Sequence, residues 1–158
     1  MERGTTLFLR LTVIIIGAAV LALCIFGLPM IGREMADHYP DWWLNTLIAG
    51  MYVSAVPFYI ALYQALRLLR YIDKQMAFSD AAVKALKIIK WCAAAICLLY
   101  AAESPVLYWM ADKDDAPGIL AIGLVIIFAS LVIAVFAAVL QKLLKNAIDI
   151  KAENDLTV

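Results

Sequence analysis

The sequence predicts an all-α integral membrane protein: a four-helix bundle with N-terminus and C-terminus both on the cytoplasmic side. Three observations predict it. First, 66% of the 158 residues are hydrophobic and only 16% charged, at a mean hydropathy of +0.91. A soluble domain of this length sits nearer half apolar, because it needs a polar surface. Second, four stretches, 11–31, 42–66, 91–111 and 116–141, are free or nearly free of charge. Each can cross a hydrocarbon core of ~30 Å as a helix of about 20 residues. Third, lysine and arginine are unevenly shared between the two ends of these stretches.

The first stretch is much longer than the apolar core of about 7–15 residues in a signal peptide, so it is expected to anchor the chain rather than be removed. The second runs from Trp42 and Trp43 to "LRLLRYIDK" and carries Pro57, which is expected to bend it. Tyr59, Tyr63 and Gln64 lie near its inner end and suit a helix–helix interface. The third stretch contains Glu103, and the fourth is uninterrupted. None alternates in polarity as a barrel strand would, and open strands cannot satisfy their backbone in lipid. Small residues in "IGAAVLAL" and "FASLVIAVFAAVL" suit close helix approach.

Orientation follows from the positive charges. Arg3 and Arg10, the connection 67–90 and the tail 142–158 together hold eleven, against Arg33 and Lys113 on the other side. The positive side is expected to be cytoplasmic. Trp42, Trp43, Tyr108 and Trp109 then fall at the outer boundary, where amphipathic rings favour the headgroup level. In "FSDAAVKALKIIK", Ser79 is a good N-cap and Asp80 suits the first turn. The third helix is therefore expected to start near Asp80, well inside the cytoplasm. "LRLLRYIDK" and "QKLLKNAIDIKAENDLTV" extend the second and fourth helices in the same way. The whole of 1–158 reads as one membrane domain.

Candidate chemistry is sparse. "DKDDAPG" places acids at Asp112 and Asp114 with calcium-loop spacing. Pro117, however, takes the glycine position of such a loop, and its final glutamate would fall on Gly123. A helix turn fits better, with Asp114 and Asp115 capping the fourth helix and Pro117 in its first turn. Cys24, Cys92 and Cys97 lie in apolar runs and His38 stands alone, so no metal or other cofactor is expected. Neither a nucleophile–base set nor a phosphate loop is present, and no enzyme activity is expected. Zero net charge gives no reason to expect direct nucleic-acid binding.

Glu103, beside Ser104, is the sharpest candidate. A carboxylate in lipid costs several kcal/mol, ~3 on insertion scales, so it is expected to face the bundle. Asn45, Tyr52, Ser54, Tyr59 and Ser130 are its candidate neighbours. Pro105 frees the carbonyl of Ala101 and can make polar space. Two readings stay open, a proton or ligand site and a hydrogen-bonded structural glutamate. The final "LTV" suits capture of a chain end only weakly.

The stretches "MERGTTLFLRL", "PFYIALYQALRLLRYIDKQMAFSDAAVKALKIIKWC", "KDDAPG" and "LLKNAIDIKAENDLTV" resemble bacterial membrane proteins of the domain of unknown function 2975 family. The resemblance runs nearly end to end. It implies a multi-pass four-helix protein of the bacterial cytoplasmic membrane, commonly in Gram-positive bacteria. It also implies a gene that often accompanies one for a small Cro/CI-type helix-turn-helix regulator. No catalytic residue carries over. The leading expectation is a non-enzymatic protein that binds or sequesters such a regulator at its cytoplasmic face. The residues expected to take part are Arg67, Arg70, Asp73, Lys74, Phe78, Ser79, Asp80, Lys84, Lys87, Glu153, Asn154 and Asp155. The alternative is a small transporter, channel or immunity-type protein using a pocket around Glu103 and Ser104. A path of that kind could require a homo-oligomer.

Overall fold

A computed structural model describes residues 3–157. Four long helices account for nearly all of it: α1 (Arg3–Met35), α2 (Asp41–Asp73), α3 (Asp80–Lys113) and α4 (Pro117–Leu156). A 33-residue helix is about 50 Å long. Against a hydrocarbon core of ~30 Å, every helix must continue past the membrane boundary. The helix expected to start near Asp80 does so: Ser79 is the N-cap, with its Oγ accepting from Ala82 N at 3.4 Å.

The helices run antiparallel in succession, and their substantial contacts join chain neighbours: α1 with α2, α2 with α3, and α3 with α4. Their outer faces expose Phe8, Ile15, Val56, Leu98, Val125, Phe128 and Phe136, which is the surface a lipid-facing bundle requires. The α3–α4 seam is built on small residues. On α4 only Gly123, Ser130 and Ala137 are buried, seven residues apart. That spacing keeps one face of a helix on its partner along a left-handed seam. It sets α4 close enough for Lys90 Nζ to donate to Gln141 Oε1 at 3.1 Å.

α1 is attached differently. Tyr52 Oη donates to Cys24 O at 2.7 Å and Tyr59 Oη to Gly17 O at 2.8 Å. Cys24 lies in a π-helical turn, Leu23–Gly27. Here the Leu28 N–H reaches back five residues to Leu23 O. The widened turn displaces the backbone from regular α-helical bonding, leaving the Cys24 carbonyl to accept the tyrosine. At the end of the bundle that holds the termini, Arg10 Nη2 meets Asp73 Oδ2 at 2.7 Å. Such an exposed pair adds at most about 1 kcal/mol.

The opposite end corrects one expectation. Asp114 and Asp115 do not cap α4: its N-cap is Ala116, with no side-chain bond, although Pro117 does occupy the first turn. Asp114 instead accepts from Tyr39 Oη, while Lys113 Nζ donates to His38 O. Lys113 also sits 5.3 Å from the Tyr39 ring centre. The loop between α1 and α2 thus competes for the acid, and the tertiary bonds win over a local cap. Asp115 closes the turn with φ of 49°, a left-handed conformation that Asp tolerates better than most residues. Tyr39, Val106 and Met110 form a small core beneath, with Trp43 and Ile119 packed on it. Trp42, Trp43 and Trp109 cluster at this end: Trp43 stacks on Trp109 at 5.7 Å, and Trp42 meets both edge-on at 5.9 and 5.7 Å.

Candidate functional site

Within the spans, Glu103 of α3 is only 6% exposed and faces α2. The residue opposite is Gly50, where an added Cβ would fall on Glu103 Oε1. The carboxylate therefore occupies the volume that any other residue at position 50 would fill. Glu103 Oε2 is buried without a hydrogen-bond partner among the described residues. The neighbours expected from the sequence turn elsewhere. Tyr52 and Tyr59 bond α1, Ser54 Oγ donates to Met51 O and Ser130 Oγ to Ile126 O. Asn45 is exposed. Ser104 Oγ donates to Ala101 O at 2.7 Å, satisfying the carbonyl that Pro105 leaves without an N–H donor. Ser104 thus repairs the helix next to Glu103 rather than binding the carboxylate. Sequence reasoning misses Gly50, since a glycine in a span reads equally well as plain packing.

At the end holding the termini, the residues expected to bind a partner divide into groups. Phe78, 59% exposed in the α2–α3 connection, joins Glu153 and Asn154 of α4 in an open groove of about 630 Å³. Ala147, Ile150, Lys151 and Thr157 complete its lining. The positions 147, 150, 151 and 154 recur at helical spacing, a signal that could have found this face. Asp155 is exposed outside that lining, and the end of the "LTV" motif, Val158, lies outside the described residues.

A second cleft, of about 290 Å³, separates α2 from α3 and is lined by Gln64, Arg67, Ala81, Lys84, Ala85 and Ile88. Arg67 Nη2 donates to Tyr71 Oη at 2.6 Å and lies over the Tyr63 and Tyr71 rings. Of the remaining expected residues, Asp73 pairs with Arg10 and Ser79 caps α3. Arg70, Lys74, Asp80 and Lys87 are exposed and line neither space. Among the described residues, no three His, Cys, Asp or Glu side chains converge as a metal ion would need.

Comparison with known proteins agrees with this architecture. The chain is 59% identical over 160 residues to the uncharacterized membrane protein YoaS of Bacillus subtilis (strain 168), covering all of both chains. No solved structure matches. The model of a family described as "Protein of unknown function (DUF2975)" matches residues 9–158. With four helices long and apolar enough to cross a membrane and this end-to-end match, the chain belongs to the DUF2975 family of membrane proteins.

Proposed function

We propose that this protein is a non-enzymatic partner-binding protein of the bacterial cytoplasmic membrane, with both termini in the cytoplasm. Its cytoplasmic end docks a small helix-turn-helix regulator and holds it at the membrane. The observation that carries this reading is the groove between Phe78 and α4. Phe78 and Ile150 are exposed apolar anchors, flanked by Lys151, Glu153 and Asn154. An apolar centre with charges of both signs at its rim is the anatomy of a specific protein interface. Phe78 is the expected anchor, because buried aromatic residues dominate binding energy.

The test is affinity capture of the intact protein, in detergent, with a small Cro/CI-type helix-turn-helix regulator of the kind the family resemblance implies. Wild type should retain the regulator, and Phe78→Ala should weaken retention at least about tenfold, as a lost hot-spot anchor does. No association with the wild-type chain overturns the reading.

A second reading, a small transporter, channel or immunity-type protein, is favoured by the orphaned oxygen of Glu103. Under it, Glu103→Gln abolishes transport or protection while the chain still inserts. Unchanged activity in that variant removes Glu103 from any such mechanism.

A further inference from the structure

The cleft between α2 and α3 differs from the groove beside Phe78 in three respects. Its charged lining has one sign: Arg67 and Lys84 are present, and no carboxylate lines it. Its floor is polar and vacant of partners. Gln64 is only 7% exposed, and none of the side-chain hydrogen bonds among the described residues engages its amide. The amide is not among the buried side-chain atoms left without a partner, so it meets the open cleft and is available to a ligand there. Finally, Ala81 brings the first turn of α3 to the rim, the positive end of a 34-residue helix.

Arg67 is preset for an anion. The Tyr71 hydroxyl takes one N–H of its guanidinium, and the rings of Tyr63 and Tyr71 flank it at 5.9 and 5.7 Å. The fork is thereby oriented before any ligand arrives, leaving its other donors free for bidentate contact. The cleft also lies at a definite depth. Gln64 is two residues from the inner end of the charge-free stretch 42–66. Tyr63, next to Gln64 in the chain, and Trp91, one turn beyond Ile88, are 60% and 61% exposed, as residues at a headgroup level are. A volume of 290 Å³ accommodates about ten waters, enough for a phosphate with an attached glycerol and too little for a folded peptide.

We propose that this cleft binds the phosphate of an anionic lipid headgroup, with Arg67 and Lys84 as its cations and the Gln64 amide as a neutral donor. Basic pockets between spanning helices take phosphorylated headgroups in this way. The site stands apart from the groove beside Phe78 and does not depend on a protein partner.

The experiment is native mass spectrometry of the full chain taken from nanodiscs of phosphatidylglycerol or of phosphatidylcholine. Wild type should retain phosphatidylglycerol preferentially. Lys84→Gln, at an exposed position that folding does not need, should lower retention about fivefold. Arg67→Gln with Lys84→Gln should lower it about 25-fold. Lys142→Gln with Lys145→Gln removes the same charge outside the cleft and should leave retention unchanged. Gln64→Leu should lower retention with no change of charge. Equal retention of the two lipids, or equal losses in the cleft pair and the control pair, overturns the proposal. A further arm adds inorganic phosphate to the phosphatidylglycerol nanodiscs. Displacement of the lipid there supports the phosphate site but overturns the lipid as its natural source.

Discussion

Glu103 and Gly50 are best understood as one unit, because each accounts for the other. A glycine in an exposed helix costs about 1 kcal/mol relative to alanine, so replacing it should ordinarily help. At Gly50 the added methyl would coincide with Glu103 Oε1, and the carboxylate or α2 must move. Gly50→Ala is therefore expected to destabilise the chain by about 1–3 kcal/mol, the usual cost of overpacking. In a Glu103→Ala background the obstruction is gone, and the same change should be neutral or stabilising by up to about 1 kcal/mol. Unfolding of the four proteins of this double-mutant cycle in detergent measures the difference; additive effects would separate the two residues. The sequence exposed Glu103 as the one acid inside a span, but not its partner. Helix register, which brings positions 50 and 103 level, is set by the connection between α2 and α3 together with tertiary contacts such as the Trp43–Trp109 stack. The acids of "DKDDAPG" mislead for a related reason. A cap can be read locally, whereas the Tyr39 hydroxyl that claims Asp114 arrives from 75 residues away.

Among the elements, α4 shows most clearly what periodicity reveals and what it conceals. Its length and apolar character are plain from the sequence, but its small residues are too numerous to identify a seam. Ala129 is exposed while Ser130 is buried, and Phe136 is exposed while Ala137 is buried. Only the partner helix selects the seven-residue beat of Gly123, Ser130 and Ala137. Between membrane helices the lipid is as apolar as the side chains, so close packing rather than hydrophobic burial holds this seam. Ala137→Leu should force α3 and α4 apart and cost about 1–3 kcal/mol. Phe136→Leu, one residue away and facing outward, should change stability by less than about 0.5 kcal/mol. Thermal unfolding of both variants in one detergent checks the contrast, and similar losses would place the seam elsewhere. The start of α3 was legible because a cap is local chemistry. Its junction with α2 was not, since Gln64, Arg67 and Lys84 approach only through the tertiary fold.

For the whole molecule, the number of helices and their antiparallel order follow from the hydrophobic stretches, and the sharing of charge adds a direction. Residues 3–10, the connection after Asp73 and the end of α4 lie at one end of the bundle, where the Arg10–Asp73 pair ties α1 to the end of α2. Eleven of the thirteen lysines and arginines lie at that end. Carrying each across against the membrane potential would cost about 2.3 kcal/mol per 100 mV, so insertion should leave them inside. The prediction can be read with single cysteines in a background where Cys24, Cys92 and Cys97 are replaced. Asp37→Cys, in the connection between α1 and α2, should react with a membrane-impermeant maleimide in intact cells. Lys74→Cys and Thr157→Cys, at the opposite end, should react only after the cells are permeabilised. All three positions are exposed, so the contrast reports sidedness rather than burial. The reverse pattern would place the Phe78 groove and the Arg67 cleft outside the cell. It would remove the regulator as an occupant of the groove, because a cytoplasmic DNA-binding protein could not reach it. The lipid site would survive that result, since anionic headgroups line both leaflets of a phosphatidylglycerol-rich membrane.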